Sequence, residues 1–490
     1  MRRRWWRKII IINYRRLEPA AGGQWDTIVV EVRDLKFIAA AAGAELRNGQ
    51  PDTLAKNLVT NSKLLKAGEV FFAIRGENHD GHVFLPEVAA KGAAAAVVQK
   101  DQADRVPAGL AFLAVDDVRA AFGRVAAAYR RQFELPVIAV GGSNGKTTTK
   151  ELVASVLRQK LSVLWSEASF NNDIGVPSTL LRLESSHRAA VLEAGTNHPG
   201  ELGPLVRMIG PKYGITTNIG REHLEFFGDV AGVAQEEGAL AEELPADGTF
   251  YIYGDDEWSP KLVARTKARV VKVGTGEGND WRAKGIRLDK NGVTFQVTAS
   301  DAAFNGEYRV NLLGRHQAVN ALFALALGAE LGLTRAEIQR GLAACKPVKM
   351  RLQFWEANGV RVLDDAYNAN ADSTLAALET LCGLPLQGRR VAILGDMAEL
   401  GEHGAAAHAE VGRRVAELKI GQLFTVGKNA TVTAQAARAA GLTRVIEFAE
   451  VEAAAKVMKG FLKPGDVVLL KASRSARFER IVETLKAEKN

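Results

Sequence analysis

With two cysteines in 490 residues, Cys345 and Cys382, the chain has no disulfide framework and no paired spacing of the kind a zinc site uses. Both thiols read as packing residues in a protein kept in a reducing cytoplasm. Long apolar runs are missing too. No stretch approaches the roughly 18 apolar residues that span a bilayer, and the four isoleucines at 9–12 fall short of the roughly 7 that a signal-peptide core needs. A transmembrane enzyme is therefore not expected. Nor does the body of the chain carry charge of one sign. The net charge is +8, but residues 1–18 hold seven basic side chains against Glu18, leaving 57 basic and 55 acidic residues in the rest. No nucleic-acid footprint is expected on that body. Residues 1–29 read as an unstructured basic extension, or a start placed too early, in preference to an arm that touches anionic lipid or nucleic acid.

Short apolar runs alternate with longer amphipathic ones, which predicts an α/β fold on parallel sheets. At roughly 150 residues per domain, the length allows about three domains. AGEVFFAIRG and GAAAAVV, with a helix between them, mark a first block over residues 30–108. The second block, 109–345, carries the strand-like LPVIAVGG, AAVLEAG, YGITTNIG, TFYIYGDD and RVVKVG, then a hairpin around Asn291-Gly292 and the buried-helix pattern HQAVNALFALALGAEL. The third, 346–490, follows CKPVKMRLQFW with strands RRVAILGDM, LFTVG and DVVLLKAS. No repeat of solenoid period is present.

VGGSNGKTTTK, residues 140–150, joins the strand PVIAVGG to a helix whose Leu152, Val153, Val156 and Leu157 recur at helical spacing. A glycine turn between strand and helix is what a phosphate cradle requires. The backbone amides of Gly142, Ser143, Asn144, Gly145 and Lys146 would face phosphate oxygens, aided by the helix dipole. The Lys146 ammonium would reach the terminal phosphates, and the Thr147 hydroxyl, with Thr148 beside it, suits a magnesium ion. The common Gly-x4-Gly-Lys-Ser/Thr spacing fails, because position 140 is valine; the match is the shorter Gly-x-x-Gly-Lys-Thr of 142–147. Such a loop alone does not say whether the nucleotide is hydrolysed, transferred or merely held. Glu193, closing AAVLEAG, and His223, after the next strand in NIGREHLEFFG, fall at carboxyl ends of strands where open α/β sheets bind ligands. A lone glutamate or histidine in a loop is more often solvated, but the joint placement of these two favours metal ligands.

GSNGKT, NNDIGVPSTLL, EAGTNHPGEL, NIGREHLEFFG, GRHQAVNAL, LDDAYNANADS and GDMAELGEHG together resemble the Mur ligase family, from about residue 30 to the C-terminus and in the family's order. DDAYNAN and GDMAELG point to the member that joins D-alanyl-D-alanine to a UDP-N-acetylmuramoyl-tripeptide. The resemblance implies three domains: one for the uridine nucleotide, a central P-loop-type ATPase on a parallel sheet, and a Rossmann-like C-terminal domain. It implies ATP and Mg²⁺, an acyl phosphate attacked by an amine, a place in cytoplasmic peptidoglycan precursor synthesis, and a monomer. Under it Lys146 and Thr147 hold phosphate and metal, and Glu193 and His223 ligate metal. Asn172 lies on the phosphate side, and His316 and Asn320 lie near the adenine. Arg351 and Asp365, with Asn368 and Asn370, approach ATP from the C-terminal domain. Thr60–Lys63 and Asn78–His82 match the uridine-nucleotide face.

Departures from the family stand at Asn61 and Lys63, at Gln317, and at Glu237, where many members carry a lysine carbamylated by CO₂. Glu237 brings its own carboxylate and is expected to ligate a second magnesium, against the alternative that Glu236 and Glu237 are a solvated acidic pair. Another amino-acid ligase of the family or a folylpolyglutamate synthase would use the same centre. A nucleotide-gated module recruited to an anionic polymer is the reading from another class.

Overall fold

The computed structural model describes residues 31–76 and 79–487, so the expectations for residues 1–29 and for Asn78 lie outside the described residues. Strand Val137–Gly141 is buried at every position, as is Ala189–Glu193. Continuous apolar strands of this kind need cover on both faces. They are the seventh and eighth strands of a nine-stranded sheet in the order Gly306–Val310, Gly292–Ala299, Trp281–Asp289, Arg269–Gly274, Thr249–Tyr253, Tyr213–Thr216, Val137–Gly141, Ala189–Glu193, Val163–Trp165. From Trp281–Asp289 to Val163–Trp165 the strands run parallel, and the other two add antiparallel. The expected hairpin is present, with Asp289 paired to Gly292, so its two loop residues are Lys290 and Asn291.

One face of this sheet is covered by helices Lys146–Leu157, Gln317–Glu330 and Arg335–Ala344, whose Leu152, Val156, Leu322, Leu325 and Ile338 share a core with Ile138 and Val191. On the other face helix Val118–Arg130 does double duty. Its Phe122, Val125 and Ala126 pack in one continuous core with Val137 and Leu192 of the central sheet and with Phe72, Val97 and Leu113 of the first block.

That first block is a five-stranded sheet in the order Leu46–Arg47, Phe112–Val115, Ala95–Gln99, Val70–Phe72, Leu58–Val59. Phe112–Val115 lies parallel to Ala95–Gln99, beyond the boundary at 108 read from the sequence. A turn closed by Leu110 N–H donating to Pro107 O returns the chain to its own sheet.

The C-terminal block orders Gln353–Ala357, Val360–Asp365, Val467–Lys471, Arg390–Gly395, Gln422–Val426 and Val445–Phe448, with only the first strand antiparallel. Cys345 is buried and Cys382 half-buried, both as free thiols, and burial pushes the Cys345 thiol up to about 12. Among the described residues no helix is long and apolar enough to cross a membrane.

Candidate active site

The phosphate loop leaves strand Val137–Gly141 and turns twice through left-handed backbone, at Gly142 (φ 103°) and Gly145 (φ 86°), before helix Lys146–Leu157 begins. Glycine is required at both. A Cβ on Gly142 would collide with Thr217 Oγ1, and one on Gly145 would sit 3.0 Å from Asn320 Oδ1. The loop is held from the next strand's end. Ser143 N–H donates to Asn218 O at 2.8 Å, Asn144 N–H to Asn218 Oδ1 at 3.1 Å, and Asn218 Nδ2 returns a bond to Asn144 O at 2.9 Å. Gly142 N–H donates to Glu237 Oε2 at 2.6 Å. The amides of 142–144 are therefore spent on the protein, contrary to the expectation that all of them face phosphate. The turn at Gly145 and the first turn of the helix keep backbone donors with no partner within the helix itself, the kind of group an anion can take.

Three buried carboxylates surround the Lys146 ammonium. Glu193 closes strand Ala189–Glu193, Glu237 ends helix Val230–Glu237, and Glu222 lies in the loop before His223. Lys146 Nζ donates to Glu222 Oε2 at 3.2 Å and to the carbonyls of Gly142 and Ser143. Burial works against its charge, but Glu222, Glu237 and Glu193 outweigh that and raise the lysine above its usual range. Burial also raises Glu237, against the pull of Lys146.

Glu193 Oε1 accepts from Asn171 Nδ2 at 2.9 Å, while Glu193 Oε2 and Glu237 Oε1 are buried with no hydrogen-bond partner. Two hard oxygens left unsatisfied in an acidic pocket, with the buried Thr147 nearby in the loop, are donors of the type Mg²⁺ takes. As placed, no three His, Cys, Asp or Glu side chains converge as a metal cluster among the described residues. His223, in left-handed backbone (φ 48°), pairs through Nδ1 with Glu399 of the C-terminal domain and lies 3.8 Å from Glu222 Oε2 through Nε2.

The remaining expected residues divide into two groups. Asn320 Nδ2 donates to Gln317 Oε1 at 2.9 Å, and Gln317 Nε2 lies 3.1 Å from His316 Nε2, so these three form a chain running from the phosphate loop. Arg351 stacks over Tyr367 at 4.1 Å and lines one crevice with Thr148 and Gln317. Asp365 is held by Lys471 at 2.7 Å and by Leu352 N–H at 3.1 Å, and Lys471 also donates to Asn368 O at 2.8 Å. Asn370 caps helix Ala371–Gly383 and donates from Nδ2 to Asn144 Oδ1 at 2.9 Å, so it reaches the phosphate loop itself.

Two expectations fare differently. Asn172 Oδ1 accepts from the N–H groups of Ile174 and Gly175 at the start of helix Gly175–Leu180, and its neighbour Asn171 reaches Glu193 instead. On the first block's face, His82 is buried with Nδ1 donating to Asp80 Oδ1 at 2.6 Å and Nε2 accepting from Gln99 N–H at 3.0 Å. Both of its ring nitrogens are spent on structure. Asn61 Oδ1 accepts from Lys63 N–H at 3.0 Å in a local turn.

Glu222, Asn171, Lys150 and Lys471 were not expected from the sequence. Lys150 is fully buried and donates to Ser166 O at 2.6 Å and Ala168 O at 2.7 Å, which pins the loop that carries Asn171. Its signal was a lysine on the otherwise apolar face of the phosphate-loop helix. Glu222 adjoins His223 in NIGREH, and that adjacency was its only signal.

A Mur ligase middle domain matches residues 140–328, a Mur ligase, glutamate ligase domain matches 350–474, and a Mur ligase family, catalytic domain matches 55–130. The chain is 32% identical over 456 residues to the UDP-N-acetylmuramoyl-tripeptide--D-alanyl-D-alanine ligase of Bacillus subtilis, covering 92% of this chain and 98% of that one. To the protein of the same name in Escherichia coli it is 34% identical over 452 residues, covering 90% and 96%. Among solved structures, MurF from Acinetobacter baumannii superposes with a TM-score of 0.86 at 30% identity over 94% of this chain and all of that one. MurF ligase from Thermotoga maritima in complex with ADP gives 0.76 at 28% identity, over 88% and 97%. Folylpolyglutamate synthase of Mycobacterium tuberculosis, at 16% identity and a TM-score of 0.60, shares the fold alone. By these matches, which run nearly end to end, the chain belongs to the Mur ligase family.

Proposed function

We propose that the chain is an ATP-dependent ligase that joins D-alanyl-D-alanine to UDP-N-acetylmuramoyl-tripeptide in peptidoglycan precursor synthesis. The observation that carries this reading is the match, over nine-tenths of the chain, to ligases of that name. The γ-phosphate of ATP passes to the tripeptide's terminal carboxylate, giving an acyl phosphate and ADP. The amine of D-alanyl-D-alanine attacks that carbonyl, and the tetrahedral intermediate expels phosphate.

Little covalent work falls to the protein; it positions the groups and neutralises charge. Lys146 leaves its carboxylates to meet the γ-phosphate, where its charge counts most as the bridging bond lengthens. The helix N-terminus at Gly145–Lys146 takes the remaining phosphate charge. Thr147, Glu193, His223 and Glu237 are the residues to hold Mg²⁺. When bound, the metal supplies a Lewis acid that draws charge off the transferring phosphoryl group. The His316–Gln317–Asn320 chain faces the base, while Arg351 and Asp365 close the site from the C-terminal side. Dependence on ATP and on a uridine-nucleotide substrate fits a cytoplasmic enzyme, and the family resemblance implies that it acts as a monomer.

Phosphate release measured with each substrate omitted in turn tests the reading. Release is expected only when ATP, the UDP-muramoyl-tripeptide and D-alanyl-D-alanine are all present, and steady release with ATP alone would overturn it.

A further inference from the structure

Residues 220–223, Gly-Arg-Glu-His, run between the phosphate loop and the C-terminal domain, and their contacts alternate between the two. Gly220 N–H donates to Ser143 Oγ at 2.8 Å, and Glu222 takes the Lys146 ammonium at 3.2 Å. The residues between reach the other way. Arg221 donates from Nε and Nη2 to Asp372 Oδ1 at 2.8 and 2.6 Å, from its backbone N–H to Asp372 Oδ2 at 2.8 Å, and from Nη1 to Glu410 Oε2 at 2.6 Å. His223 pairs with Glu399, and Glu225 N–H donates to Glu399 O at 3.0 Å. Asp372 lies in the first turn of helix Ala371–Gly383, and Glu410 lies on helix Gly404–Glu417. One guanidinium thus ties two helices of the C-terminal domain to the segment that holds the phosphate-loop lysine.

We infer that Arg221 is a positioning residue that couples docking of the C-terminal domain to the seating of Lys146. Its side chain is about one-third exposed, and an ion pair so placed adds little to stability. What it fixes is geometry. Arginine's planar fork meets both carboxylates in defined directions, so the 220–223 backbone cannot shift without moving either Asp372 and Glu410 or Ser143 and Lys146. When the C-terminal domain leaves, Glu222 loses the support that sets its distance to Lys146. The kinetic consequence rests on the ligase reading; the mechanical link does not.

The test uses the full chain and three variants, Arg221→Ala, Arg221→Lys and Glu410→Ala, the last cutting the same link from the far side. Hydrogen exchange of amides 143–149 is read alongside kcat and KM for ATP. Coupling predicts that exchange in the loop quickens about tenfold in both alanine variants. It also predicts that kcat falls about tenfold while KM for ATP moves less than threefold, and that Arg221→Lys recovers part of both. Unchanged loop exchange in Glu410→Ala would overturn the inference, as would a loss of kcat in Arg221→Ala that lysine does not relieve. If the unaltered chain releases no phosphate with all three substrates, the ligase reading fails, and the exchange data alone decide the coupling.

Discussion

Two lysines lie near carboxyl ends of parallel strands, the half-buried Lys146 in the turn beyond Val137–Gly141 and the buried Lys471 closing Val467–Lys471, and they are balanced differently. Lys471 faces one carboxylate, Asp365, and both partners are satisfied by further bonds to Asn368 O and Leu352 N–H. Lys146 faces three, Glu222, Glu237 and Glu193, of which two keep a buried oxygen without a partner. The consequence shows in the titration of each. Burial lowers Lys471, with Asp365 opposing only in part, whereas the surplus of acid around Lys146 overcomes burial and raises it. A balanced pair holds a loop in place. A centre with carboxylates in surplus asks for another cation, which is what a site for a magnesium-bound nucleotide needs.

The comparison can be broken at either centre. Lys146→Met is expected to lower kcat by roughly 10²–10³-fold, read as phosphate release under saturating substrates. Lys471→Met should leave Asp365 charged and unpaired and cost about 3 kcal/mol of stability, measured by denaturant unfolding of the nucleotide-free chain. Asp364, beside Asp365 on strand Val360–Asp365, tests the value of a partner, for burial pushes its carboxyl up to about 6. That lies above the ordinary aspartate value of about 3.9. The neutral form is therefore favoured in the folded chain, and this contribution is full below about pH 4 and lost as the pH rises through about 6. Asp364→Asn should accordingly stabilise the chain by about 2 kcal/mol at pH 8 and by nearly nothing at pH 4, as read from melting curves at the two pH values. The smallest effect is expected from Glu237→Gln. Removing one charge from the crowded centre should raise nucleotide-free stability by about 1 kcal/mol while lowering turnover. A fall in stability there would mean that the three carboxylates are not in surplus.

Much of this site was legible in the sequence, and for a local reason. Lys146 and Thr147 follow a glycine turn between an apolar strand and a periodic helix, Glu193 closes the unbroken apolar strand Ala189–Glu193, and His223 lies in the loop that follows strand Tyr213–Thr216. Such signals depend on neighbours in the chain. Glu222 depends on Lys146, 76 residues away, and nothing in NIGREH marks which of its polar residues turns toward the loop. Asn171 and Asn172 could not be told apart, because one caps a helix and the other reaches Glu193 across 22 residues. The place of the strand that follows residue 108 is hidden for a similar reason. Phe112–Val115 is an ordinary apolar strand, and only its pairing with Ala95–Gln99 assigns it to the first sheet. In the C-terminal block Val360–Asp365 lacks an unbroken apolar run to mark it as a strand, and only its pairing with Val467–Lys471, which runs to Asp365, reveals it.

The central claim is that a carboxylate, and not water, takes the γ-phosphate held at Lys146. Tripeptide substrate labelled with ¹⁸O in its terminal carboxylate tests it in one turnover. An acyl phosphate carries one labelled oxygen into the phosphate that leaves when the amine attacks, so the account predicts ¹⁸O in the released inorganic phosphate. Phosphate free of label, formed together with the ligated product, would contradict it.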